Sequence, residues 1–216
     1  MDNNNIYNIK LNAGYLAKWI RYIFIITIVT YIINFLSAMA DRAGAVGSSL
    51  FLDYISLALG LVTVFCLYKL AVVEKAFGKA GILFATASII GLLVGFIPEP
   101  KLLSMPQITM MLLMIAPAPI NLLAEYVEHG GFVNILKGLD DSLVKKWDIL
   151  WNVFLPTNIV LIITAIISII YINNVEAVAG TVAALAIIGS IGAIFCFVYK
   201  LYILNKTANF FNNMEI

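Results

Sequence analysis

Residues 22–39 read YIFIITIVTYIINFLSAM, 18 residues without a charge. A helix of that length, at about 1.5 Å per residue, covers most of a hydrocarbon layer roughly 30 Å thick. Beyond Tyr22–Met39, five more apolar runs follow, near Tyr54–Val73, Ala80–Ile97, Leu102–Ala124, Ile149–Tyr171 and Val175–Tyr199. The pattern predicts an all-α membrane protein, a bundle of six transmembrane helices. Composition agrees: 62% of the 216 residues are hydrophobic and 12% are charged, against roughly 25% charged in an ordinary soluble domain. The longest stretch between spans, about Glu125–Asp148, is too short for a second folded unit. The expectation is therefore one integral membrane domain over residues 1–216.

Basic residues orient the bundle. Lys10, Lys18 and Arg21 precede the first span; Lys69, Lys75 and Lys79 lie between the second and third. Lys137, Lys145 and Lys146 lie between the fourth and fifth, and Lys200 and Lys206 follow the sixth. With the amino terminus in the cytoplasm, 11 of the 13 Lys and Arg fall on that side, and only Arg42 and Lys101 fall outside. Short-loop Lys and Arg resist translocation, so both termini are expected to be cytoplasmic. The basic inner face favours anionic lipid, while no basic run is dense enough for nucleic acid. A composition rich in Ile and Asn points to a bacterial plasma membrane. Ala38-Met39-Ala40 imitates a signal-peptidase site, but a leader of about 40 residues exceeds the usual 15–30, so the run is read as the first span.

Interfacial residues follow from this topology. Trp19, Trp147 and Trp151 fall at the inner boundary, where amphipathic rings collect. Phe132, Ile135, Leu136, Leu139, Leu143 and Trp147 recur at helical spacing. They predict an interfacial amphipathic helix over about 132–147, broken from span four by Gly130-Gly131. Phe132, Leu139, Trp147, Trp19 and Trp151 are thus the expected membrane-interface residues.

Val64–Leu70 resembles Cys196–Leu201, each with Tyr-Lys-Leu at the cytoplasmic end of a span, and Lys18-Trp19 matches Lys146-Trp147. An internal repeat of the first and last hairpins is the expectation. Small residues stripe two spans: Gly91 and Gly95 end one on span three, and Ala183 and Ser190 lie in another on span six. Such stripes allow close helix packing in lipid, within the chain or in a homo-oligomer. Cys66 and Cys196 read as small packing residues.

Span four carries Pro106, Pro117 and Pro119, and span five carries Pro156 beside Asn158. Proline removes a backbone donor, and freed carbonyls at depth need protein or a wet cavity. Pro117, Asn121 and Glu125 share a face, and Asn34 lies in span one. Asn34, Pro117, Asn121, Glu125 and Asn158 are therefore the substrate or pathway candidates. No Asp, Glu, Lys or Arg falls near the middle of a span, and Glu125 is expected at the cytoplasmic interface. Asp53 reads as a helix-start residue. Glu125, Glu128 and His129 lack metalloprotease spacing, and no metal or cofactor is expected. Neither a nucleophile–base pair nor a phosphate loop is present, so no enzyme is expected.

Two functions fit. One is a small-solute transporter or channel-like protein with a pathway near spans four and five. The other is a non-transporting accessory, immunity or assembly protein that contacts a membrane partner through its small-residue faces and the 132–147 helix. Reporter fusions test the topology itself. They are expected to read outside at Gly47, Lys101 and Asn174 and inside at Lys75 and Lys137; an inside signal at Gly47 contradicts it.

Overall fold

The computed structural model describes residues 3–97, 101, 104–171 and 175–214. Among these the chain is helical, without a strand. A short α1 (Asn3–Leu11) leads into α2 (Ala13–Arg42), α3 (Val46–Leu70) and α4 (Lys75–Gly95). Then follow α5 (Gln107–Ile115), α6 (Pro117–Leu136), α7 (Asp141–Ile170) and, after a 3-10 turn at Val175–Ala177, α8 (Ala179–Asn212). Among the described residues six helical segments are long and apolar enough to cross a membrane, α5 and α6 together forming one of them. The chain is a polytopic membrane protein. Leu102 and Asn174, at a span start and a loop by sequence, lie outside the described residues.

Each break has a local cause. Asp140 caps α7, its carboxylate accepting from the Ser142 and Leu143 N–H groups at 2.9 and 3.0 Å. Just before it Gly138 holds φ +75°, a conformation that favours glycine. Pro117 opens α6 and has no N–H to give the Leu113 carbonyl, so the helical ladder of the fourth crossing is interrupted at Ala116, whose backbone stays in the right-handed helical region. Pro156 leaves α7 continuous. Beside it, Thr157 Oγ1 and Asn158 Nδ2 donate to the carbonyls of Val153 and Phe154 at 2.8 and 2.9 Å. The Thr157 hydroxyl proton and an Asn158 amide proton are thus paired within the helix.

The crossings form a ring in chain order. α2 packs on α3, α3 on α4, α4 on α6, α6 on α7 and α7 on α8, and α8 returns to α2. α2, α7 and α8 hold 30, 30 and 34 residues. At ~1.5 Å per residue they run about 45–51 Å, well beyond a hydrocarbon layer of roughly 30 Å. Leu16, Ile20, Leu67, Phe77, Phe132, Trp147 and Phe211 are buried together at the basic end of the ring. Phe132 and Trp147 stack with centroids 4.1 Å apart, and Trp147 Nε1 donates to Thr207 Oγ1 at 3.2 Å. Water drives such burial, whereas lipid tails give apolar side chains little reason to leave them. Along the other half of the ring Ile32, Phe35, Ile187 and Ile191 stay exposed.

This core corrects two expectations. No separate interfacial helix runs over 132–147. Phe132, Ile135 and Leu136 end α6, Leu143 and Trp147 begin α7, and the shared stripe faces the core. Gly130 and Gly131 lie inside α6; a Cβ on Gly131 would stand 2.9 Å from Phe77 Cε1, so that glycine admits a ring instead of ending the helix. Phe132 and Trp147 are consequently core residues, whereas Trp19, Trp151 and Leu139 are half-buried.

The small-residue stripes are the second correction. Gly91, Gly95, Ala183 and Ser190 are all exposed, and a Cβ on Gly91 or Gly95 would meet nothing within 4 Å. Close approach falls instead on Gly189 and Gly192, where an added Cβ would lie 2.5 Å from Leu161 and Thr157 of α7. Ser190 stands about 100° around the helix from Gly189 and so turns away from α7. Gly192→Leu is therefore expected to lower the melting temperature in detergent, by overpacking worth ~1–3 kcal/mol. Gly91→Leu should leave it near the parent value. Equal melting of both variants contradicts this assignment of the α7–α8 contact.

Candidate functional site

Just above the apolar core the interior of the ring becomes polar. Lys200 Nζ of α8 lies 2.7 Å from Glu125 Oε2 and 3.1 Å from Glu128 Oε2 of α6. The two carboxylates are three residues apart and so share a helix face. α7 separates α6 from α8 in the ring, so this ion cluster reaches across the interior. It is well enclosed, with side-chain exposures of 15% for Lys200, 24% for Glu125 and 3% for Glu128.

The cluster lies at the basic end of a cavity of about 350 Å³ lined from all six crossings. Thr27, Thr30 and Asn34 come from α2, Thr63 from α3, and Thr157 and Asn158 from α7. Phe84, Phe154, Tyr31 and Phe197 add aromatic walls, Tyr31 and Phe197 stacked at 3.8 Å. A second cavity, of about 460 Å³, lies between α2 and α3 toward the opposite end. Asp41, Asp53, Ser37 and Ser49 line it, and Asn34 borders both cavities. Ser37 Oγ donates to Asp53 Oδ1 at 2.6 Å and to the Ser49 carbonyl at 3.3 Å. Asp53 is thus inside α3, paired across the hairpin, and not at a helix start.

The sequence candidates divide. Asn34, Glu125 and Asn158 converge on the cavity. Pro117 is half-buried and Asn121 is exposed; neither lines the cavity. The cluster sits at the basic end of the ring, where Glu125 was expected, but it is enclosed between helices. Hydropathy averaging hides such a pair, because a charge lowers the window mean and ends the apparent span at the very residue that pairs. Lys200 and Glu128 were missed in this way. Leu201, Ile203 and Leu204 beyond Lys200 are the signal that its helix continues with a buried face.

His129 turns elsewhere. Its Nε2 stands 3.2 Å from Asp148 Oδ1 and its ring lies over Trp151, although it borders a small cleft of about 10 Å³ together with Glu125 and Glu128. Among the described residues no three His, Cys, Asp or Glu side chains are placed to hold a metal. The residues equated by the repeat occupy different surroundings: Lys200 joins the ion cluster, whereas Lys69 lies over the Phe65 ring at 5.0 Å. No known protein family, curated protein or solved structure matches the chain.

Removing one partner from a buried ion cluster strands the others, at a cost of ~3–5 kcal/mol. Lys200→Met is accordingly expected to melt well below the parent protein in detergent. Adding Glu125→Gln and Glu128→Gln removes the stranded charges, and the triple variant should recover most of the loss. A Lys200→Met protein that melts like the parent contradicts the burial of the cluster.

Proposed function

We propose that the protein is a membrane transporter for a small polar solute, with the central cavity as its binding site. The observation that carries this reading is the ion cluster opening into a cavity lined by Asn34, Asn158 and threonine hydroxyls. Ionisable groups inside a membrane bundle are expensive and mark solute or ion pathways. Ligand sites combine apolar and aromatic walls with a few converging polar groups, and this lining has that character. The apolar core lies beyond the cluster at the basic end, and Asn34 separates the cavity from the second one on the other side. The hydrogen-bond ladder interrupted at Pro117 gives the α5–α6 crossing a place to bend.

In this reading the basic end faces the cytoplasm of a bacterial plasma membrane, and the cavity is approached from outside. The accessory reading loses one of its surfaces, because the apolar face of residues 132–147 is consumed in the core. Its remaining support is the exposed small-residue faces at Gly91, Gly95, Ala183 and Ser190, which equally suit a homo-oligomer.

Flux tests the proposal. Purified protein in liposomes would be offered labelled amino acids, amines, sugars and nucleosides in turn. One class should enter above the protein-free background. Asn158→Leu, which fills the cavity without touching the ion cluster, should abolish that entry while the melting temperature holds. Background flux for every class contradicts a transporter.

A further inference from the structure

Resting on the transporter reading, we infer that the cavity takes a small monovalent organic cation, an amine, that approaches along the carboxylate-lined path between α2 and α3. The charges on the lining select the sign. Counted by formal charge, two carboxylates, Glu125 and Glu128, face the single ammonium of Lys200, so the cavity lining holds one more acidic than basic group. An anion would have to displace a carboxylate from Lys200. A second ammonium instead supplies the missing counter-charge. In a site of low dielectric this difference in sign is amplified relative to water.

The approach repeats the preference. Asp41 and Asp53 line the outer cavity, and no Lys or Arg is among its lining residues; Arg42, at the end of α2, is exposed outside it. Four carboxylates therefore stand along the two cavities against one ammonium. Clefts of one sign concentrate counter-ions of the other. The walls suit the rest of the molecule. Tyr31, Phe84, Phe154 and Phe197 surround the polar groups, and aromatic faces attract an ammonium while accommodating its apolar substituent.

Three shape-matched probes test the sign: phenethylamine, phenethyl alcohol and 3-phenylpropanoate, titrated onto the purified full chain by calorimetry. Phenethylamine is expected to bind roughly tenfold or more tightly than the alcohol and the acid. Glu125→Gln, which leaves Glu128 to pair with Lys200, should abolish that preference. Asp41→Asn lies on an exposed surface and does not threaten the fold; it should weaken amine binding several-fold at low salt and little at high salt. Equal binding of the three probes, tighter binding of the acid, no binding of the amine at millimolar concentration, or a preference that survives both substitutions overturns the inference. Flux of a neutral or anionic solute without amine preference leaves transport standing and removes the cation. Amine binding without flux leaves the cation site and removes transport.

Discussion

The Lys200 ammonium, held between the carboxylates of Glu125 and Glu128, organises the interior of this protein. It joins two crossings that the ring itself does not bring together. It also fixes the register of α6 against α8 at the level where the apolar core stops and the cavity starts. A charge in such a position is tolerated only when paired. Beside the pair lies a cavity that Thr27, Thr63 and Asn158 also line. A bundle with leucine at these positions could close on itself; this one keeps an interior.

The rest of the architecture follows from having two solvents. At the basic end Phe77, Phe132, Trp147 and Phe211 close into a core of the kind that water drives. Within the hydrocarbon layer no such force acts between helices, and contact depends on fit. Gly189 and Gly192 let α8 approach α7 closely. Elsewhere the apolar side chains simply face outward. The ring is consequently tight at the basic end and looser beyond it, a shape suited to a site reached from one side.

Much of this could be read from residues alone, and the failures share a cause. The six crossings were legible because a soluble fold of this size could not hide so many apolar runs of membrane length. Asn34, Glu125 and Asn158 were legible because polar side chains in such runs need partners. Lys200 was not, since a lysine after an apolar run is usually an interfacial anchor; only Ile203 and Leu204 hint otherwise. The 132–147 stripe misled for a related reason. Helical periodicity reports which side chains are buried, and it cannot separate one helix on a membrane surface from two helix ends facing a common core. The Gly138–Asp140 turn was the clue, with a glycine before a capping carboxylate. The small-residue stripes did not mark the contacts within the chain, because smallness permits close approach without saying which neighbour will use it.

A cysteine at the residue that borders both cavities would report both the opening of the interior and its charge. In a background with Cys66 and Cys196 replaced by alanine, Asn34→Cys would be treated in sealed vesicles with membrane-impermeant methanethiosulfonates, one carrying trimethylammonium and one carrying sulfonate. Reaction is expected from the side opposite the basic end, with the cationic reagent faster than the anionic one relative to a free thiol in solution. No reaction from that side, or faster reaction with the sulfonate, would contradict a cavity that opens there and is governed by Glu125, Glu128 and Lys200.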